Sequence, residues 1–150
     1  MEDFNWIYMI EKMQEIRLFS RTIVQRTTKL SELPGQHLDL LSHLVLHEEG
    51  MTPKCLSKIM GVNKTIISRI VDKLSQGEYL IKIPDPNDKR SYSILITDLG
   101  RAEIDKVYKF YLGPIYELRR KLGDDDFLKL IYYIEQANIK MNKDEKERLE

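Results

Sequence analysis

Lys64, Thr65, Ile66, Ser68, Arg69 and Lys73 are the residues of this chain best suited to reading a nucleic acid. They interleave with Ile67, Ile70, Val71 and Leu74, whose three- and four-residue spacing marks the buried stripe of a helix. The six therefore share the outer face. A guanidinium at Arg69 can bridge guanine O6 and N7, and the Thr65 hydroxyl fits either a base edge or a phosphate. Lys64 and Lys73 suit phosphates. Ile66 has two readings: contact with a thymine methyl, or packing against a neighbouring helix. A second group follows at Asp85-Pro86-Asn87-Asp88-Lys89-Arg90. Pro, Asn and Asp in that order are turn chemistry. Arg90 there suits the negative potential of a narrow minor groove, and Lys89 a backbone phosphate. The plainer alternative is an ordinary turn with a surface ion pair.

Other reactive side chains form no comparable set. His43 and His47 stand four apart on one helix face, with His37 earlier, a spacing that suits a divalent metal. Two ligands do not make a site and no Cys-x-x-Cys accompanies them, so no metal is expected and surface histidines are. Cys55 is the single cysteine. It cannot form an internal disulfide, and a small buried hydrophobe is its expected role. Trp6, Met9, Met13, Tyr108, Tyr111 and Tyr116 form a Met and aromatic set that reads as a helix–helix core or as the lining of an adaptable pocket. No Gly-rich phosphate loop or nucleophile elbow is present, so neither an enzyme nor a cofactor is expected.

The elements that position the nucleic-acid residues can be read from local signals. Trp6, Met9, Met13, Ile16, Phe19 and Ile23, widened by Ile7, Ile10 and Val24, predict a long amphipathic helix over about 3–29, followed by a polar connection over 27–33. Pro34 suits the first turn of a second helix with Leu38, Leu41, Leu44 and Val45 inward, ended by Glu48-Glu49-Gly50. Thr52-Pro53 starts a third, carrying Leu56, Ile59 and Met60. Gly61 permits a left-handed turn, Val62 plugs it and Asn63 caps the fourth helix, which Gly77 stops. Two helices across so short a turn are a helix-turn-helix. Residues 79–84 and 91–97, with Tyr92, Ile94 and Ile96 alternating, predict a hairpin beside it. Thr97 caps a helix from Asp98 that Gly113-Pro114 kinks or breaks. Gly123 and Asp124 precede a last helix over about 125–141, with Phe127, Leu130, Ile131, Ile134 and Ala137 inward, and 142–150 is a charged tail.

The expected fold is therefore mostly α with a small β-hairpin wing, in one domain over 1–150. The winged helix-turn-helix lobe spans 33–97, and 1–30 and 98–142 form a helical dimerisation region.

Whole-chain properties bound the partners. The 150 residues carry 24 Lys/Arg against 24 Asp/Glu, a net charge of zero. Between Met51 and Tyr92 stand eight Lys/Arg and four acids, so the centre is +4 within a neutral protein. That distribution concentrates attraction for phosphate in the predicted hairpin and helices. No stretch approaches the ~18 apolar residues of a membrane helix. The start carries Glu2 and Asp3 rather than the basic region of a signal peptide. A cytoplasmic location, with no membrane partner, is expected.

Several segments together resemble the MarR family of transcriptional regulators. They are Gln36 and Leu40-Leu41, the run Leu56-Ser-Lys-Ile-Met-Gly-Val62, the run Ile67-Ser-Arg-Ile-Val-Asp-Lys-Leu74, the tip Asp85-Pro-Asn-Asp-Lys-Arg90, and Leu95-Ile-Thr-Asp-Leu-Gly-Arg101. The resemblance is continuous over about 33–105. It implies a homodimer in which the first helix and the last two of each chain interlock. It also implies a pseudo-palindromic double-stranded DNA operator and a repressor relieved by ligand. The pocket residues Trp6, Met9, Met13, Tyr108 and Tyr111 would then take a small aromatic or amphipathic acid, and Asp88 would orient Arg90. Leu33, Ile66 and Asn87 depart from the family's usual Thr/Ser, polar residue and Arg. Alternative readings are a metal-responsive regulator of the same fold and a winged-helix protein-interaction module.

Overall fold

The computed structural model describes residues 5–23 and 31–149, with side chains described as far as Asn142. The elements are α1 (Trp6–Ile23), α2 (Gly35–Leu46), α3 (Pro53–Met60), α4 (Lys64–Gln76), β1 (Leu80–Pro84), β2 (Tyr92–Ile96), α5 (Asp98–Tyr111), α6 (Gly113–Leu122) and α7 (Asp124–Leu149). They fall into two compact units, Met1–Tyr111 and Leu112–Glu150. The expected fold class, helical with a two-stranded antiparallel wing, is what the chain adopts. The expected first helix is present as α1. Its predicted ends at 3–4 and 24–29, including Val24, and the connection through residue 30 lie outside the described residues.

The first unit is organised around one apolar cluster. Leu40, Leu41 and Leu44 of α2, Leu56 of α3, the α4 stripe Ile67, Ile70, Val71 and Leu74, and Leu80 and Ile94 of the hairpin form it. Leu40 was not among the residues expected inward on α2, yet it is fully buried. Of the apolar residues of α3, Ile59 is 50% exposed and Leu56 is the buried one. β1 and β2 pair from Leu80 opposite Ile96 to Pro84 opposite Tyr92. Met51, just before α3, adds a bridge to Ile94 through N–H···O bonds of 3.0 and 2.8 Å in the two directions. The hairpin is thus hydrogen-bonded to the start of the helix-turn-helix.

Caps set the helix boundaries where the sequence puts them. Thr52 Oγ1 accepts from the Cys55 N–H at 3.2 Å with Pro53 in the first turn. Gly61 ends α3 at φ 65°, ψ 30°, the left-handed conformation a residue without Cβ adopts freely. Asn63 Oδ1 accepts from the Ile66 N–H at 2.9 Å. Each cap contributes about 1 kcal/mol. α2 closes earlier than Glu48-Glu49-Gly50: His47 is its C-cap.

α4 ends where Gly77 was expected to stop it, with Gly77 as its C-cap. Gly77 has φ −80° and the left-handed residue is Glu78, at φ 62°. The Glu78 N–H donates to Ser75 O at 3.0 Å and the Tyr79 N–H to Leu74 O at 2.9 Å. Those two bonds make a Schellman closure with Glu78 in the place glycine usually holds. Gly77 has another function: a Cβ there would lie 2.6 Å from the Tyr79 ring.

In the second unit, α6 begins after a break at Leu112, with Pro114 in its first turn. It packs against α7, and Arg119 Nε pairs with Asp124 Oδ1 at 2.8 Å. Asp124, Asp125 and Asp126 stand in the first turn of α7, where carboxylates complement the helix dipole. The segment expected as a charged tail from 142 is a continuation of α7, whose backbone is helical through Leu149.

Candidate nucleic-acid interface

The helix-turn-helix and the wing bring Lys54, Lys64 and Arg90 to one groove of the first unit. A cavity of about 390 Å³ is lined by Thr52, Pro53 and Lys54 of the α3 start, Lys64 and Ser68 of α4, and Arg90, Ser91 and Tyr92 of the wing. Lys64, Ser68 and Arg90 were expected to contact nucleic acid and are here brought together from two elements. Thr65, Arg69 and Lys73 share α4 and are exposed, as are Asp88 and Lys89 at the wing tip. Thr52, Lys54, Ser91 and Tyr92 were missed. Only the Thr-Pro cap hinted at them, by marking a helix N-terminus whose free N–H groups suit an anion.

The apolar stripe buries one side of α4 and leaves the polar side to solvent. Ile67, Ile70, Val71 and Leu74 are at most 3% exposed. Ile66 packs against the same cluster while half-buried, which favours its packing reading over the methyl contact. Among the described residues, no ion pair engages Lys64, Arg69, Lys73, Lys89 or Arg90. Lys82 behaves differently. It pairs with Asp72 of α4 at 2.7 Å and lies 5.3 Å from the Tyr92 ring centroid. The hydrogen bond to Asp72 raises its pKa. This pair fastens the wing to α4 and neutralises the acid on that helix's outer face.

The wing tip is held by aspartate carboxylates that accept from its backbone N–H groups. Asn87 N–H donates to Asp85 Oδ1 at 2.8 Å, and Arg90 N–H donates to Asp88 Oδ1 at 3.0 Å. Asp88 therefore fixes the chain that carries Arg90 rather than its guanidinium. The Asp85 N–H closes the loop on Ser91 O at 3.0 Å.

The remaining candidates separate from this groove. Cys55 is exposed, not buried as expected, while its neighbour Leu56 takes the inward position on α3. The three histidines, on α2 and at its C-cap, are half-buried. His37 is partly buried with Nδ1 lacking a partner, and burial, then the charge of Lys73, lowers its pKa. Burial and His47 lower that of His43, and His47 Nδ1 lies 2.9 Å from His43 O. Burial raises the pKa of Asp39 on the same helix. Among the described residues no three His, Cys, Asp or Glu side chains converge as metal ligands. Trp6, Met9 and Met13 of α1 and Tyr108 of α5 are exposed, Tyr111 is partly buried, and none lines the groove. No described helix is long and apolar enough to cross a membrane.

Comparison with known proteins follows the same segment. Residues 31–91 match the family model described as MarR family. The HTH-type transcriptional regulator YkoM of Bacillus subtilis is 32% identical over 73 residues, 49% of this chain and 47% of that protein, so the chain spans about half the length of this relative. The HTH-type regulator YcgE of the same organism is 26% identical over 134 residues, 89% of this chain and 86% of that protein. Multiple antibiotic resistance protein MarR of Escherichia coli is 26% identical over 88 residues, 58% and 61% of the two chains. Two solved structures share the fold. A mutant MarR from E. coli complexed with operator DNA superposes with a TM-score of 0.64 at 21% identity, over 91% of this chain and 99% of that one. A MarR family transcriptional regulator from Streptomyces coelicolor in complex with DNA gives 0.69 at 14% identity, over 93% and 88%.

Proposed function

We propose, from the premise that this chain belongs to the MarR family through its 31–91 segment, that it is a transcriptional regulator that binds double-stranded DNA. The observation that carries the reading is the groove in which Lys54 and Lys64 face Arg90 across the start of α3 and the exposed side of α4. Cations without ion pairs among the described residues, mounted on a helix and a hydrogen-bonded hairpin, suit a phosphate backbone with a base-reading helix between its contacts. The DNA-bound structures of the E. coli and Streptomyces neighbours share the fold that presents these elements.

In this reading Thr65, Ser68 and Arg69 meet base edges, with Ile66 giving its face to the core. Lys64, Lys73 and Lys89 take phosphates, Arg90 enters the minor groove, and Asp88 holds the wing in shape. The protein acts as a homodimer on a pseudo-palindromic operator, its two α4 helices about 10 base pairs apart. Apolar side chains without cover support the dimer. α1 buries none of its residues, and Trp6, Ile7 and Ile16 are 70%, 58% and 66% exposed. In the other unit, Leu128 and Tyr133 of α7 are 63% and 67% exposed. Surfaces of that kind mark protein contacts. The regulator represses, and a small aromatic or amphipathic acid near Trp6, Met9, Met13, Tyr108 and Tyr111 relieves it by favouring a dimer whose spacing misfits the operator.

Sedimentation of the full chain with a labelled duplex of its own upstream DNA tests this reading. Two chains per duplex is the expected stoichiometry. A monomer that ignores DNA at low salt but captures another protein would establish the interaction-module alternative.

A further inference from the structure

The recognition helix is joined to α5 by one hydroxyl group. Thr97 Oγ1 donates to the Glu78 carbonyl at 2.6 Å and accepts from the Gly100 N–H at 3.1 Å. The first partner closes α4. The second is an N–H in the first turn of α5, which has no carbonyl partner within its own helix. The same hydroxyl thus links the C-terminal end of one helix to the N-terminal end of the next. Around it the backbones are as close as atoms allow. The Thr97 N–H donates to Tyr79 O at 3.1 Å, and a Cβ on Gly100 would collide with that same carbonyl oxygen and lie 2.8 Å from Ile96 Cγ1. Glu78 sits in the left-handed region to offer its carbonyl there. That conformation costs a non-glycine residue energy.

Two further ties hold the beginning of α5 to the other side of the lobe. Ser31 Oγ donates to Glu103 Oε1 at 2.5 Å, and Arg101 Nη2 lies 3.7 Å from Glu48 Oε1. α5 is therefore anchored both to the end of α4 and to residues flanking α2.

The geometry points to Thr97 as a positioning residue: it sets the angle of α4 against α5, and so the distance between recognition helices in the assembled dimer. This inference rests on the DNA-binding reading above. The hydroxyl is a suitable device because it is directional at both ends. Without it, the end of α4 is restrained by apolar contact, which tolerates rotation, and by single backbone bonds. With it, the helix-turn-helix, the wing and the start of α5 move as one body.

Two measurements on the full chain test it, comparing wild type with Thr97→Val, which keeps the shape and loses the hydroxyl, and Thr97→Ser, which keeps the hydroxyl. The first is amide hydrogen exchange without DNA. Thr97→Val is expected to speed exchange at the Tyr79 and Thr97 amides by tenfold or more, although neither bonds the hydroxyl, while amides of α2 stay protected and Thr97→Ser behaves as wild type. Unchanged exchange at Tyr79 and Thr97 overturns the joint. The second is selection from a library of random duplexes. Wild type and Thr97→Ser are expected to recover paired half-sites at one spacing. Thr97→Val should recover the same half-site over several spacings. A Thr97→Val selection with the wild-type spacing overturns the positioning role. A wild-type chain that recovers no recurring sequence overturns the DNA-binding reading and the purpose of the joint with it, while the exchange result still decides whether the joint exists.

Discussion

Arg90→Ala separates DNA contact from structure more cleanly than any other substitution in this chain. The side chain is exposed, belongs to no ion pair among the described residues, and lines the groove opposite Lys64. Its backbone N–H donates to the Asp88 carboxylate, a bond that alanine retains. Stability should therefore move by less than about 0.5 kcal/mol. A dimer loses two such groups, one per wing. Each cation lost from the minor groove leaves about one phosphate charge fewer neutralised, so at about 0.9 per phosphate the slope of log affinity against log salt becomes shallower by about 1.8. At about 1–3 kcal/mol per contact the loss is about 2–6 kcal/mol, or roughly thirtyfold to twenty-thousandfold in affinity. Fluorescence anisotropy of a labelled upstream duplex, titrated from about 50 to 200 mM salt, measures both quantities. Arg120→Ala is the control. It removes the same charge, but from a guanidinium already paired with Glu117 at 2.6 Å in the other unit, and should leave the slope unchanged. If Arg90→Ala and Arg120→Ala change slope and affinity alike, the wing has no role in binding and the reasoning from the groove fails.

Arg69→Ala should lower discrimination between the operator and a base-substituted operator; an equal loss on all sequences in competition titrations would make it a phosphate contact. Leu40→Ala, at a site with no solvent exposure between α2 and the hairpin, should cost about 2–5 kcal/mol in denaturant unfolding, and a cost below ~1 kcal/mol would contradict the core described. Burial depresses the pKa of His37 and His43, so the folded chain binds fewer protons than the unfolded chain below the ordinary imidazole value of 6.5. Stability should thus fall as pH drops through that value, and His37→Gln should flatten the dependence; a denaturation midpoint independent of pH from 7.5 to 5.5 would refute this. Asp39, raised by burial, acts in the opposite sense and only at acid pH above its usual 3.8.

Local chemistry made much of this lobe legible. Thr52, Gly61 and Asn63 act within four residues of themselves, so their caps were readable without knowledge of the fold. The stripe Ile67, Ile70, Val71 and Leu74 specified which side of α4 is buried, and therefore which side holds Arg69. Features that depend on distant backbone were not readable. Gly77 looks like a helix stop, but its lack of a side chain accommodates the Tyr79 ring, and the strained residue is Glu78. Gly100 looks like an ordinary helical glycine until the Tyr79 carbonyl is placed against it. The Asp72–Lys82 pair spans helix and strand, so no spacing rule finds it. Cys55 was misplaced for a related reason. One residue of rotation on a short helix exchanges solvent for core, and periodicity on eight residues of α3 fixes that rotation poorly. Among the described residues α1 buries no side chain, and α7, although packed on α6, leaves Leu128 and Tyr133 exposed, as helices that complete their burial in a second copy would.

The central claim is most directly tested by a gel-shift of the purified full chain on its own upstream DNA against a large excess of random duplex. A discrete complex that survives the competitor is the predicted result. Loss of the complex in proportion to competitor, or no complex at low salt, would contradict sequence-specific regulation.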